Sequence, residues 1–374
     1  MADEIQRIVT ELPDLKGVTG VWTVADDRVA QGDAAFAADL GIALARTYGS
    51  EGQMWQYKSV FDYLLRLLAT TAGPENVAQA LRLVSSAEVA SRKLDRYTAS
   101  LLASSHEAAD LVAAFTGRAS EELRACLVHE LVLRGAVVEE TPGITDWATS
   151  SHWGHHPLGW LPLTLSDIEG NADLPSYGIC GTSHPMPYGP SESRELAVIA
   201  DARVPSARET TTQATATAMR KAVANWAEES NGRIETRVFD LTAPLDVESV
   251  PNALLMLGLQ CLHGAGKKTA LSVAVLPPAQ AWRVLFASAS TGGAYNFGSY
   301  GAYGRLLAWQ SLAALAGSPE GATADEVEAR VRDCIWHGFD ADTKWFRQVA
   351  WDIGLVALAR DRRRLAVMAA TDTD

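Results

Sequence analysis

Apolar residues in the first third of the chain recur at helical spacing. Phe61, Leu64, Leu65 and Leu68 stand at i, i+3, i+4 and i+7, which puts one apolar stripe on one face of a helix. From about Asp33 to Arg134 the same period, only briefly interrupted, predicts about five helices. Gly73-Pro74 opens one of them, running through Val77, Leu81 and Leu83, because proline in a first turn loses no needed N–H. Ser104 and Glu107 have capping-box spacing ahead of Leu111 and Val112. Short connections and the lack of a fixed repeat point to a helical bundle, with a solenoid-like stack as the alternative.

The pattern changes after Arg134. Between Thr141 and Pro190 lie seven prolines, four of the 8 histidines, and Trp147, Trp153 and Trp160. So much proline argues against a long helix, and so much tryptophan against a loose linker, so an ordered, irregular connector is expected.

From Arg194 onward the elements alternate. Leu196–Val204 is predicted as strand, Thr211–Glu229 as helix, Ile234–Leu241 as strand and Val250–Leu262 as helix closed by Gly264. Lys268–Leu276 and Ala281–Ala287 are predicted as an antiparallel strand pair turning at Pro277-Pro278. A Gly-rich loop is then expected to lead from strand to helix. Helices follow at Arg305–Leu315 and Ala324–Trp336, the second opened by a Thr323–Glu326 box. The chain is expected to end in a hairpin of Gln348–Ala359 and Leu365–Ala370 around an arginine-rich turn, with a frayed Thr371-Asp372-Thr373-Asp374. The predicted class is α+β, with a helical domain over 1–140, the connector over 141–190 and an α+β domain over 191–374.

Charge narrows the possible partners. With 45 Asp+Glu against 32 Lys+Arg the net charge is −13, which disfavours general nucleic-acid binding. The acidic start lacks the features of a secretory signal, and no run of roughly 18 apolar residues is present, so no membrane association and a cytoplasmic location are expected. The widely spaced Cys126, Cys180, Cys261 and Cys334 are expected to be reduced. Cys126, Cys261 and Cys334 fall in apolar runs and are expected in the core, Cys334 on a helical stripe with Val327, Val331 and Ile335.

Two clusters carry candidate chemistry. His152, His155 and His156, with Cys180 and His184 farther on, offer nitrogen and sulfur donors suited to zinc, although their spacing matches no zinc signature. Cys180 lies between glycines, where a thiol nucleophile would need one of these histidines as base. The second cluster is the loop of Gly292, Gly293, Tyr295, Asn296, Gly298, Tyr300, Gly301, Tyr303, Gly304 and Arg305. Its backbone N–H groups and Arg305 suit an anion and its aromatic rings a flat ligand, while close backbone packing explains the glycines equally well. Glu130, on an apolar stripe, is expected to pair with Arg124 or Arg134. Arg360, Arg362, Arg363 and Arg364 form a basic tip, expected to be solvated.

Thr291-Gly-Gly-Ala-Tyr-Asn-Phe-Gly298, Arg305-Leu-Leu-Ala-Trp309 and the ending from Trp351-Asp-Ile-Gly-Leu355 to Asp374 are shared features. Through them, the last quarter or so of the chain resembles an uncharacterised family from high-GC bacteria, a domain of unknown function. The resemblance implies no activity, cofactor or site residue. The leading functional expectation is a binding or regulatory protein that recognises a protein partner, with an immunity-like role among the options. The alternative is an enzyme or small-molecule binder whose pocket joins the loop 289–305 to the 152–184 stretch.

Overall fold

The computed structural model describes residues 2–49, 54–86, 90–170, 172–184, 194–265, 271–347 and 349–373. It divides into two compact units. The first comprises Met1–Gly159 with Pro175–Ser183, and the second Trp160–Leu174 with His184–Asp374.

The first unit is helical. Its elements are α1 (Ala2–Glu11), α2 (Thr19–Ala30), α3 (Ala34–Tyr48), α4 (Trp55–Thr70), α5 (Pro74–Val84), α6 (Arg92–Ser105), α7 (Val112–Thr116), α8 (Glu121–Leu133), α9 (Pro142–Ala148) and α10 (Ser151–His155). A small hairpin of β1 (Ser176–Gly178) and β2 (Gly181–Ser183) completes it. Leu64, Leu65 and Leu68 of the predicted stripe are fully buried on α4, and Pro74 opens α5 as expected. α8 is buried nearly all round, as suits a central helix, and Ser120 caps it by accepting the Leu123 N–H at 3.0 Å. Ser104 plays no capping role. It lies in the last turn of α6 and donates back to the Leu101 carbonyl, because the helix runs through it. α1 and α2 precede the region where helix was predicted.

The second unit is α+β. Its elements are β3 (Arg194–Leu196), β4 (Ala207–Glu209), α11 (Gln213–Met219), α12 (Ala224–Glu229), β5 (Arg233–Leu241), α13 (Val250–Met256), β6 (Leu271–Leu276), α14 (Pro278–Thr291), α15 (Tyr300–Ala316), α16 (Ala324–Asp333), β7 (Ile335–Ala341), β8 (Ile353–Leu358) and β9 (Arg364–Thr371). The strands form one antiparallel sheet in the order β3-β6-β7-β8-β9-β5-β4. β8 and β9 pair from Ile353↔Ala370 to Leu358↔Leu365. Every residue of β8 is buried, which explains why the C-terminal hairpin reads as continuous apolar runs. One face holds Phe239, Phe339, Val356 and Val367 against Leu254 of α13, and α14 and α15 pack against strands of the same sheet.

Several predicted elements change. Pro277-Pro278 is no hairpin turn: Pro277 caps and Pro278 begins α14, so Ala281–Ala287 is helix. That short, almost wholly apolar run has no period to separate strand from helix, and the proline at the first helical position is the decisive signal. The Gly-rich loop therefore links two helices. Of the predicted strand 196–204 only Leu196 is strand, as the last residue of β3; the helix 211–229 divides into α11 and α12, and the helix 250–262 ends at Met256. α16 keeps its Thr323–Glu326 capping box but stops at Asp333. Cys334 then sits at a buried helix–strand junction and Ile335 in β7, not on a helical stripe. Residues 268–270 and 348 of the predicted strands lie outside the described residues. The end of the chain is not frayed through 372, since β9 continues to Thr371 and both Thr371 and Asp372 are fully buried. Among the described residues no helix is long and apolar enough to cross a membrane.

Candidate functional site

The loop between α14 and α15 is held by side chains distant in sequence. Asn296 Oδ1 accepts the Gly293 N–H at 2.9 Å and the Asn225 side-chain amide at 2.9 Å, while Asn296 Nδ2 donates to the Asn225 carbonyl at 3.2 Å. The buried Asp372 carboxylate accepts the Ala294 N–H at 2.7 Å and the Ser230 hydroxyl at 2.8 Å. The N–H groups of Gly292, Gly298 and Ser299 turn back onto the carbonyls of Ser288, Thr291 and Ala289. Five of the loop's backbone donors, those of Gly292, Gly293, Ala294, Gly298 and Ser299, are thus spent on the fold itself.

The glycines serve close approach. A Cβ on Gly298 would lie 2.1 Å from the Ser290 carbonyl oxygen, one on Gly304 2.7 Å from Ser290 Cβ, and one on Gly293 2.1 Å from Asp372 Oδ2. Gly292 has φ of +88° at the end of α14, where only glycine is unstrained. Tyr300 also has a positive φ, 61°, at the start of α15, and a bulky residue there stores backbone strain. Gly301 lies buried in the first turn of α15, and Tyr303 is half-buried one residue before Gly304.

Arg305 is wholly buried and faces inward. Its Nε and Nη2 form a bidentate pair with the equally buried Glu169 at 2.6 and 2.8 Å, and its Nη1 and Nη2 donate to the carbonyls of Pro162 and Thr164 at 2.9 Å each. Glu169 also accepts the Trp309 indole N–H at 2.7 Å and closes a capping box with Ser166. What the loop presents outward is aromatic: Tyr295 is 62% exposed and Phe297 72%.

The histidines of 152–184 are not gathered with their predicted co-ligands. His152 and His155 are exposed on α10, and His155 Nδ1 donates to the Ser151 carbonyl at 2.7 Å. His156 lies 3.4 Å from a Glu122 carboxylate oxygen, and its Nδ1 accepts the Leu158 N–H. Cys180 is exposed at the turn between β1 and β2, and His184 belongs to the second unit. Among the described residues no group of three or more His, Cys, Asp or Glu side chains is placed to hold a metal ion. The tryptophans around them are structural: Trp147 and Trp153 meet edge to face, and Trp153 packs on the buried His129. Glu130 pairs with Arg134 at 2.5 Å, while Arg124 goes to Glu121. Burial raises the Cys126 and Cys261 thiols far above their ordinary range, so both stay protonated.

The matching family model spans residues 19–374, nearly the whole chain. The chain belongs to the family of unknown function DUF6183. The kinship therefore extends well beyond the last quarter and includes both units. No curated protein and no solved structure matches the chain.

Four residues that build this region have weak sequence signals. Asn225, Ser230 and Asp372 are polar residues near element ends, with no spacing that ties them to the loop. Glu169 alone was findable, because Ser166-x-x-Glu169 has capping-box form.

Proposed function

We propose that the protein is a cytoplasmic binding protein that recognises a protein partner through the apex of the 292–299 loop, with Tyr295 and Phe297 as its anchors. One observation carries this reading: a loop fixed from within by Asn296 and Asp372 turns two aromatic rings to solvent. Preorganised aromatic side chains give large contact area at small entropic cost, and such residues dominate binding hot spots. The net charge of −13 favours a basic partner and speeds its encounter; neutralising a basic toxin would use this complementarity. A small-molecule pocket at the loop has less support, because five of its backbone N–H groups and Arg305 are engaged internally.

The test places a photo-reactive phenylalanine analogue at position 297 in the producing cell. A discrete adduct that disappears with Tyr295→Ser, while the melting temperature holds, is the expected result. Diffuse adducts matching those from the same analogue at exposed Met256 would refute the reading.

A further inference from the structure

The second unit contains an open cleft of about 630 Å³ at the other end of α15, bounded by the end of α16 and the turn between β8 and β9. Three arginines line it: Arg330 from α16, Arg360 from the turn and Arg364 from the start of β9. Two carboxylates line it too, and each has a local partner. Asp333 lies 3.3 Å from Arg360 Nη1, and Asp361 Oδ1 accepts the Arg363 N–H at 2.9 Å within the turn. Arg330 and Arg364 form no ion pair among the described residues. Arg364 donates to the Leu315 and Ala314 carbonyls at 2.6 and 3.1 Å, and Arg330 makes one long contact, 3.4 Å, to the Gly317 carbonyl.

The balance is unusual for this chain. Carboxylates are in excess overall, yet here three guanidinium groups meet two carboxylates, and the two cations without an ion pair face one cavity. Arg364 is half-buried, and that burial lowers its pKa, with the Arg330 charge adding to the effect and Asp240, opposite it on β5, working against it without forming an ion pair. The α15 carbonyls that Arg364 caps add the partial negative charge of a helix end. Gly317 keeps the floor low: it adopts φ of +73°, and a Cβ there would lie 2.9 Å from Arg364 Cζ. Cys334, also on the lining, is buried with its thiol pushed up to about 11, so it brings neither charge nor nucleophile.

We propose that this cleft binds a small molecule through an oxyanion group, phosphoryl or carboxylate, held by Arg330 and Arg364 with Arg360 at the rim. Guanidinium groups are suited to this because their planar N–H forks match both oxyanions in bidentate geometry. This site is independent of the aromatic loop, and either proposal can fail alone.

The test is calorimetric titration of the full chain with inorganic pyrophosphate and, separately, citrate, with chloride matched for ionic strength. Saturable one-site binding is expected for at least one probe, and the probe preferred identifies the oxyanion class. Arg330→Gln, at an exposed position, is expected to weaken that binding about tenfold with an unchanged melting temperature. The proposal is overturned if neither probe binds saturably, if matched chloride abolishes binding, or if Arg330→Gln and Arg360→Gln both leave the affinity unaltered. Arg364→Gln is a poor probe, because losing the cap on α15 would lower stability as well.

Discussion

Both ends of α15 bring a glycine and arginine side chains together, at the C-terminal end only through the fold, but they differ in how much bonding capacity remains. At the N-terminal end Asn296 and Asp372 take the Gly293 and Ala294 N–H groups, and Glu169 with the Pro162 and Thr164 carbonyls engages Arg305. At the C-terminal end Arg364 covers the last carbonyls, while among the described residues neither Arg330 nor Arg364 forms an ion pair. Residue type alone points to the first end as the ligand site, because glycines and an arginine beside a helix start resemble an anion cradle. Counting donors against acceptors reverses that preference.

The comparison is broken most forcefully at Glu169. Removing its charge strands a wholly buried guanidinium, so Glu169→Gln should destabilise the protein by about 3–5 kcal/mol. The double change Glu169→Leu with Arg305→Met should recover much of that loss, since neither charge is then left alone. Urea unfolding measures both; an intact Glu169→Gln protein would mean that Arg305 is not committed to the fold. For the same reason a fragment 191–374, which lacks Glu169, should unfold more readily than 160–374.

His337 tests the opposite condition, a buried polar group without a hydrogen-bond partner among the described residues. Its ring is fully buried in β7, between Val275 and Val356 on the neighbouring strands, and among the described residues neither nitrogen has a hydrogen-bond partner. Burial first, then the Arg194 charge, lowers its pKa from the ordinary 6.5 to about 4, with Glu248 opposing. Above pH 6.5 both folded and unfolded states leave it neutral. Below that the unfolded chain binds a proton that the native state refuses, so stability falls as pH falls, by about 3 kcal/mol on reaching pH 4 and no further below. His337→Leu should abolish this part of the slope and leave the neutral-pH stability equal or higher. An unchanged slope between pH 6.5 and 4 would show that this histidine is hydrated or paired.

Close packing at the loop end gives a smaller effect. Gly298→Ala puts a Cβ against the Ser290 carbonyl, and relieving that overlap should cost about 1–3 kcal/mol in thermal unfolding. A neutral outcome would mean that the two helices separate easily there.

What was legible in the chain follows the range of the interaction. The stripe on α4, Pro74 at the start of α5, the Thr323–Glu326 box and the β8–β9 hairpin depend on residues a few positions apart, and each left a local period or spacing. The strand assigned to Ala281–Ala287 failed because a short apolar run is satisfied equally by a buried strand and a buried helix. The bonds that decide the candidate site span long separations: Glu169 to Arg305, Asn225 to Asn296, Ala294 to Asp372. No local pattern encodes them. The terminal Thr371-Asp372 read as a loose end because its partners, Asp352 and the loop backbone, appear only once the sheet has formed.

The finest test compares two adjacent side chains of the same loop. Asn296 points inward and satisfies the Gly293 N–H, so Asn296→Ala leaves that donor and the Asn225 amide short of an acceptor, at about 1–2 kcal/mol. Phe297, its neighbour, is 72% exposed, and Phe297→Ser should change stability by less than about 0.5 kcal/mol. Chemical unfolding of the two variants side by side separates the roles. If Phe297→Ser proves as costly as Asn296→Ala, the ring packs on the protein in solution and is no anchor. If it is neutral while Tyr295→Ser abolishes the 297 adduct, the aromatic apex spends its apolar surface on a partner, which the inward-facing asparagine beside it cannot do.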